Sequence, residues 1–399
     1  MGSDMSEFDV LSQTRTYEPT PEGFDPLTAS AEALRRHGLP RRPDPDREPE
    51  LARLWKRVFA RPVKFETAEL AIDPAWRSRG RWQTEDQPFG LLEGEWGGVV
   101  CSISNTGPYT QPATWVFGQF VVPWVSTETP GPEIQIGFWV GLDGWVGLSN
   151  PAAAHQVLQA GVGAIVPQRG HGSAGVNWFA WTEWDTPGPN WPVVVSNLPV
   201  AYGDTVCVLV CAWAPDVATA GIVNLSKGHG RTVGIATPPN TMSVGASAEW
   251  IVEGTSNILP EFEPITFTNC VAGTSAGEFF DLSSGGGVPV NIVEPGPISA
   301  YSGPQLTQTT IVSSQTAVVV ELPAGISWLH LSPRPCQPTL LPGIWRIKIN
   351  YGGGTSSPRY SRNRVRAGTG RRSPDRRGRG RARARHLYAG RSGRSRTAT

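Results

Sequence analysis

Apolar residues in this chain come in short runs, and the period of those runs changes along its length. From about Gly94 to Leu322 they alternate with clusters of Gly, Pro, Asn and Ser, the punctuation of strands joined by turns. Strands are expected near Trp96–Ser102, Ala113–Val122, Ile134–Leu142, His155–Val166, Trp178–Trp184, Thr205–Ala212, Gly221–Leu225, Ala248–Glu253, Ile265–Val271, Thr307–Val312 and Ala317–Leu322. No helical run of ordinary length interrupts them. So many strands in one stretch predict an all-β domain over residues 93–323, a large antiparallel β-sandwich.

Residues 1–92 read differently. They are polar and rich in proline, with two helical patterns. Ser30 to Arg36 is short and ends at Gly38. After Pro49, the residues Leu51, Leu54, Trp55, Val58 and Phe59 fall at i, i+3, i+4, i+7 and i+8, a helical stripe that Pro62 stops. This predicts a partly helical extension, either docked or a flexible arm, placed where an inhibitory leader would be. Beyond Leu322 the pattern decays, and residues 324–399 are expected to be irregular. From Tyr351 the Gly/Ser/Arg composition cannot bury enough apolar surface to fold alone, so a disordered Arg-rich tail is expected.

The 46 Gly and 37 Pro against 3 Met suit a turn-rich β body. Charge changes the picture more. The chain holds 35 basic and 34 acidic groups, but 15 arginines and a single acid, Asp375, lie from Arg359 onward. Residues 1–358 keep 20 basic and 33 acidic groups. An acidic body excludes nucleic acid as its partner, and only the Arg-rich tail suits a polyanion. The five cysteines are odd in number and form no close CxxC pair, which excludes a disulfide framework and a zinc ribbon. Cys207 and Cys211 share one strand face and read as core. The six histidines are dispersed without an HExxH, so no metal site is expected. Met1–Arg15 lacks a basic region followed by an apolar one, and no apolar run approaches a membrane span. No membrane partner is expected, and the chain shows no address beyond the cytoplasm.

Candidate chemistry lies on alternate strand positions. In Ala248-Glu249-Trp250-Ile251-Val252-Glu253, the residues Glu249, Ile251 and Glu253 point one way and Trp250 and Val252 the other. Trp139 and Asp143 share a face of their strand, as do Trp181 and Glu183 of theirs. Gln159 lies with Val157 and His155. Faces of Trp, carboxylate and amide, each opposite an apolar face, can converge into a cleft held by strands.

Five motifs in order carry a resemblance over residues 94–322. They are Trp96-Gly97-Gly98, Trp139-Val140-Gly141-Leu142-Asp143-Gly144, Val157-Leu158-Gln159-Ala160-Gly161, Ala180-Trp181-Thr182-Glu183-Trp184 and the Ala248–Glu253 run. Their order and spacing are similar to those of the glutamic peptidases, the eqolisins. The resemblance implies a concanavalin A-like bent antiparallel β-sandwich and an acid-acting endopeptidase without cofactor or metal. It implies a Gln/Glu dyad at Gln159 and Glu253, with Trp139, Asp143, Trp181, Glu183 and Glu249 as supporting or substrate-cleft residues. Protein or peptide substrates and a monomer are expected. A carboxylate can serve as base and then as acid, and an amide can donate to a developing oxyanion without titrating. The chain departs from the family in lacking most of its cysteines and in showing no signal peptide, although members are secreted. Pro187, Pro189 and Pro192 stiffen the loop where the family has a flap-like segment.

Two rivals use the same sandwich. Laminarinase-like glucanases carry two glutamates four apart on one strand, as Glu249 and Glu253 are, but the residue between them is Ile251 where an Asp is wanted. A non-catalytic peptide- or glycan-binding module would use the same tryptophans for contact alone. Gly273-Thr274-Ser275-Ala276-Gly277 matches G-x-S-x-G in string only, because the elbow needs a strand-to-helix turn in an α/β sheet. Gly285-Gly286-Gly287 is read as a loop, since no helix follows to hold a phosphate.

Overall fold

Alternating runs became strands in the computed structural model, which describes residues 9–73, 76, 95–103, 111–126, 133–145, 156–167, 175–186, 192–254, 259–293 and 304–322. The Arg-rich tail, His155, Pro187 and Pro189 lie outside the described residues, which all belong to one compact unit. Ahead of the sandwich come α1 (Val10–Gln13), β1 (Arg15–Thr16), α2 (Ala31–Arg36), α3 (Pro49–Val58), β2 (Lys64–Phe65) and β3 (Leu70–Ile72). Then follow β4 (Trp96–Ser102), β5 (Ala113–Val121), β6 (Val125–Ser126), β7 (Ile134–Asp143), β8 (Val157–Val166), β9 (Asn177–Asp185) and β10 (Val193–Val195). The next are β11 (Thr205–Ala214), β12 (Val217–Asn224), β13 (His229–Ile235), β14 (Ser247–Gly254), β15 (Glu261–Phe262) and β16 (Ile265–Thr274). The last are β17 (Phe279–Asp281), β18 (Val288–Val290), β19 (Thr307–Ser313) and β20 (Thr316–Glu321).

Two large sheets form the all-β sandwich. One runs β1-β13-β12-β11-β5-β16-β20-β19, with β17 and β2 attached at β16 and β13; the other runs β18-β4-β14-β7-β8-β9-β10-β3. Pairing is antiparallel apart from β2 on β13. Each central strand sends one alternate set of side chains between the sheets. Phe138, Val140 and Leu142 of β7, Leu158, Ala160 and Val162 of β8, and Ala248, Trp250 and Val252 of β14 meet Val116, Phe120, Val206, Val208 and Phe267 of the facing sheet. Trp250 crosses to that sheet and satisfies its indole N–H on the Phe117 carbonyl at 2.8 Å. That is the partner a buried Trp requires.

Residues ahead of the sandwich are built into it. Ser30 caps α2 by accepting the Ala33 N–H at 3.1 Å, and Pro49 opens α3 where its missing N–H costs nothing. Leu54 and Trp55 of α3 pack with Phe117, Cys207 and Val223 on the outer face of the larger sheet. Between helix and sheet lies a cavity of about 430 Å³ lined by Leu51, Trp55, Phe117 and Leu209. The polar side chains Arg41 and Glu48 at this cavity are paired with each other, both bonds at 2.6 Å. The extension does more than dock its helices: it adds an edge strand to each sheet, β1 on β13 and β3 on β10.

Candidate active site

The outer face of the smaller sheet is not the solvated polar face that alternation alone would give. Trp96, Val100, Trp139, Val157, Phe179, Trp181 and Ile251 form a second apolar cluster there, and acid and amide side chains stand among them, Gln159, Glu183, Glu249 and Glu253 in its central rows. Register sorts these into rows. One row reads Glu249 on β14, Gly141 on β7, Gln159 on β8 and Glu183 on β9. The next on the same face reads Ile251, Trp139, Gly161 and Trp181, and the one beyond it Trp96, Glu253, Gly137, Gly163 and Phe179.

Gln159 and Glu183 are neighbours and both buried. The Gln159 amide nitrogen donates to Glu183 Oε2 at 3.2 Å. A carboxylate accepts and does not donate, so this contact fixes which end of the amide is nitrogen. The Thr182 hydroxyl donates to the Gln159 main-chain carbonyl at 3.1 Å and steadies the strand at that point. Gln159 Oε1 is buried without a partner among the described residues.

Glu249 is fully buried, and neither of its oxygens has a hydrogen-bond partner among the described residues. Burial pushes its carboxyl well above the usual range; the adjacent Ser247 hydroxyl works against this without reaching good hydrogen-bond geometry, and Asp143 adds to it. Only Gly141 separates Glu249 from Gln159. A Cβ on Gly141 would lie 2.8 Å from Cζ3 of Trp139, so the absence of a side chain leaves that position to the edge of the indole.

Glu253, expected to pair with Gln159, stands in another row of this face. Its row lies four residues from that of Gln159, about 13 Å along the strands at the rise of an extended chain. Trp139 Nε1 donates to Glu253 Oε2 at 2.9 Å and Trp96 Nε1 to Oε1 at 3.2 Å. Glu253 therefore holds two indoles in place. The same separation of about 13 Å from Glu249 is far beyond the roughly 5–5.5 Å of a retaining glycosidase pair.

Asp143 supports the site through the backbone. It sits at φ 69° and accepts from the Ser243 hydroxyl at 2.9 Å and the N–H groups of Val244 at 2.9 Å and Ala246 at 2.8 Å. These bonds clamp the segment that leads into β14, ending three residues before Glu249. Burial raises the Asp143 pKa in spite of them. Among the described residues no group of three or more His, Cys, Asp or Glu is placed to hold a metal. Cys101, Cys207, Cys211 and Cys270 are buried thiols, the first three pushed up to about 12 by burial. None of them is a nucleophile at working pH.

The sequence reading missed Trp76. It stands ahead of the sandwich, yet it packs on this face against Phe179, with ring centroids 4.8 Å apart, and Trp181, at 5.6 Å. A lone tryptophan in a polar, proline-rich segment was the only available sign of it.

An all-β sandwich with acid and amide side chains buried among indoles on one outer face is the setting of a glutamic-type endopeptidase, a hydrolase of protein or peptide substrates. Residues 94–321 match the Peptidase A4 family, and the protein belongs to that family. Among solved structures, it is similar to scytalido-glutamic peptidase with a transition state analog inhibitor, at 20% identity over 58% of this chain and 99% of that one, TM-score 0.44. SCP-B, a member of the eqolisin family of peptidases in complex with the tripeptide Ala-Ile-His, matches at 19% identity over 58% and 99%, TM-score 0.43. Aspergilloglutamic peptidase from Aspergillus niger matches at 24% identity over 47% and 99%, TM-score 0.37. No curated protein matches the chain.

Proposed function

We propose that Gln159 and Glu249 are the catalytic pair of this peptidase and that it cleaves extended peptides by direct attack of water, with no covalent intermediate. The observation that carries this reading is their shared row, with Gly141 alone between them and, on both side chains, oxygens without a partner among the described residues. Two strand spacings, about 9–10 Å between Cα atoms, leave room for the two side chains to share one water.

Glu249, as carboxylate, takes a proton from that water while the oxygen attacks the peptide carbonyl. Gln159 Oε1 accepts the water's other hydrogen. Glu183 occupies one N–H of the Gln159 amide, and the second donates to the oxygen that becomes negative. Glu249 then returns its proton to the leaving nitrogen as the C–N bond breaks, giving a carboxylic acid and an amine. Because burial raises the Glu249 pKa, the carboxyl keeps its proton to higher pH than an ordinary glutamate does, which suits its return to the leaving nitrogen. Asp143 fixes the approach to β14, and Trp139 and Trp181 line the peptide's path.

Digestion of denatured casein from pH 2 to 8 tests this with Glu249→Gln beside Glu253→Gln. Activity lost in the first and largely kept in the second is the expected result. The reverse pattern would return the role of base to Glu253.

A further inference from the structure

The cleft has a second specialised place, where Trp76 sits. Trp76 is 2% exposed although the segment that carries it precedes the family domain. Strand β3 extends the smaller sheet at its β10 edge through Leu70, Ala71 and Ile72, and four residues later the indole lies on the site's own face. Its seat has a floor without side chains. Cη2 of Trp76 lies 3.0 Å from where a Cβ on Gly163 would stand, beside the Phe179 ring at 2.6 Å, and 3.7 Å from one on Gly137, beside Trp181 at 3.7 Å and Trp139 at 3.4 Å, and these two glycines are cross-strand partners. Phe179 and Trp181 form the walls. A pocket two glycines wide between aromatic walls admits a flat ring and nothing branched at its base.

A second observation points to a ligand. The Trp181 indole N–H is buried and has no acceptor among the described residues, and the same is true of Trp76 Nε1. Trp76 fills the apolar volume and offers the wall's donor no acceptor. A peptide bringing an aromatic side chain and its neighbouring carbonyl would satisfy both, and unmade buried hydrogen bonds weigh heavily in such a choice. The pocket lies two to four residues along the strands from the row of Gln159, about 7–13 Å at the rise of an extended chain. In a peptide lying along the strands it therefore takes a side chain two to four positions from the cleaved bond.

From this geometry we infer that the Gly137/Gly163 pocket is a subsite for a bulky aromatic residue of the substrate, and that Trp76 occupies it as an internal competitor. The inference rests on the reading of this face as the substrate cleft. The arm and an aromatic substrate then exclude each other, and removing the indole opens the subsite.

The test compares the full chain with its Trp76→Ala variant, binding a fluorescent hexapeptide with a single Trp and a control with Ala in its place. Trp76→Ala should bind the Trp peptide at least ten-fold more tightly than the unaltered chain, with no such gain for the Ala control. Adding Gly137→Val, whose methyl groups enter the space shared by the Trp76 ring tip, Trp181 and the edge of Trp139, should remove the gain. Equal affinity of both chains for the Trp peptide, or an equal gain for the control, overturns the inference. If the alanine variant does not fold, Trp76→Leu keeps apolar bulk without the ring and gives the same comparison. Cleavage is followed in the same samples: tighter, Trp-dependent binding without cleavage leaves the subsite standing and counts against the Gln159–Glu249 pair.

Discussion

Gln159 and Glu249 reach across a single residue, Gly141, that has no side chain to keep them apart. Glu183, Glu253 and Asp143 on this face are committed to other contacts: Glu183 to the Gln159 amide, Glu253 to two indoles and Asp143 to the Ser243–Ala246 segment. Glu249→Gln should therefore lower kcat/KM on a peptide substrate by about 10²–10⁴-fold, the usual worth of a general acid–base group. Glu253→Gln keeps an acceptor for one of the two indoles and should cost activity far less. Steady-state kinetics on both variants decides which glutamate is the base.

Gly141 itself makes the second prediction. Its hypothetical Cβ is 2.8 Å from Cζ3 of Trp139 and 3.1 Å from the Leu158 carbonyl. Gly141→Ala must push the indole aside, at a cost of about 1–3 kcal/mol for an overpacked site. It also puts a methyl between the pair. Thermal unfolding should show the modest loss and peptide hydrolysis a much larger one. A variant with near-normal activity would mean that the packing of Trp139 over Gly141 does not set the position of the pair.

The raised pKa of Glu249 has a signed consequence for stability. The folded protein binds this proton more tightly than the unfolded chain does. The favourable contribution is therefore complete below the unfolded value of about 4.3 and is lost as pH rises through the folded one. Glu249→Gln cannot ionise and escapes that loss. Its unfolding temperature should gain on that of the unaltered protein as pH is raised from 3.5 to 7. A difference that stays constant with pH would show that Glu249 is not held in its neutral form.

Much of this was legible in the residues because alternation is a local property. The face of β14 could be read directly: Trp250 and Val252 enter the inter-sheet core, and Glu249 and Glu253 leave it. Which glutamate shares a row with Gln159 was not legible, since that depends on how β14 and β8 register against β7, a non-local fact. Strand β13 went unread because Gly230, Arg231 and Gly234 break its apolar period; Arg231 is buried there only because Glu66 and Asn197 receive its guanidinium. The short strands β1, β2 and β3 carry no period at all and exist because an edge was available to pair with. Trp76 was invisible for the same reason, as its meaning comes from the pocket it fills.

Asp143 offers a test of support without contact. It holds a left-handed backbone conformation that Asp and Asn tolerate best among side-chain-bearing residues, and its carboxylate gathers three donors from the segment Ser243–Ala246. Asp143→Asn keeps the backbone preference but turns part of the acceptor into a donor that faces other donors. A loss of about 1–3 kcal/mol is expected from unmade buried hydrogen bonds. Because the clamp aims Glu249 rather than touching substrate, kcat should fall more than KM rises. An unchanged kcat would show that the loop is dispensable to the base.

Glu66 ties the extension to the sandwich, and acid should loosen the tie. Its carboxylate meets Lys64 Nζ at 2.7 Å and the buried Arg231 guanidinium at 2.7 Å, with the His229 ring at 3.3 Å. The hydrogen bond from Lys64 and the nearby positive charge of Arg231 hold its pKa below the usual carboxyl value, against some desolvation. A lowered folded pKa reverses the sign found for Glu249. The contribution is present above the unfolded value of about 4.3 and is lost as pH falls through the folded one. Protonation leaves Arg231 buried without its counter-charge, the situation in which one half of an ion pair is most costly. Strands β2 and β3 flank this contact, and Trp76 follows β3, so the extension should open more readily in acid than at neutral pH. Hydrogen exchange of the amides of Lys64 to Ile72 should accelerate between pH 5.5 and 3, after correction for the intrinsic rate. Glu66→Gln, lacking the charge at any pH, should exchange fast at both values and show little of that change. Equal protection in the variant and the unaltered chain at pH 5.5 would mean that the extension is held by its strands and helices alone.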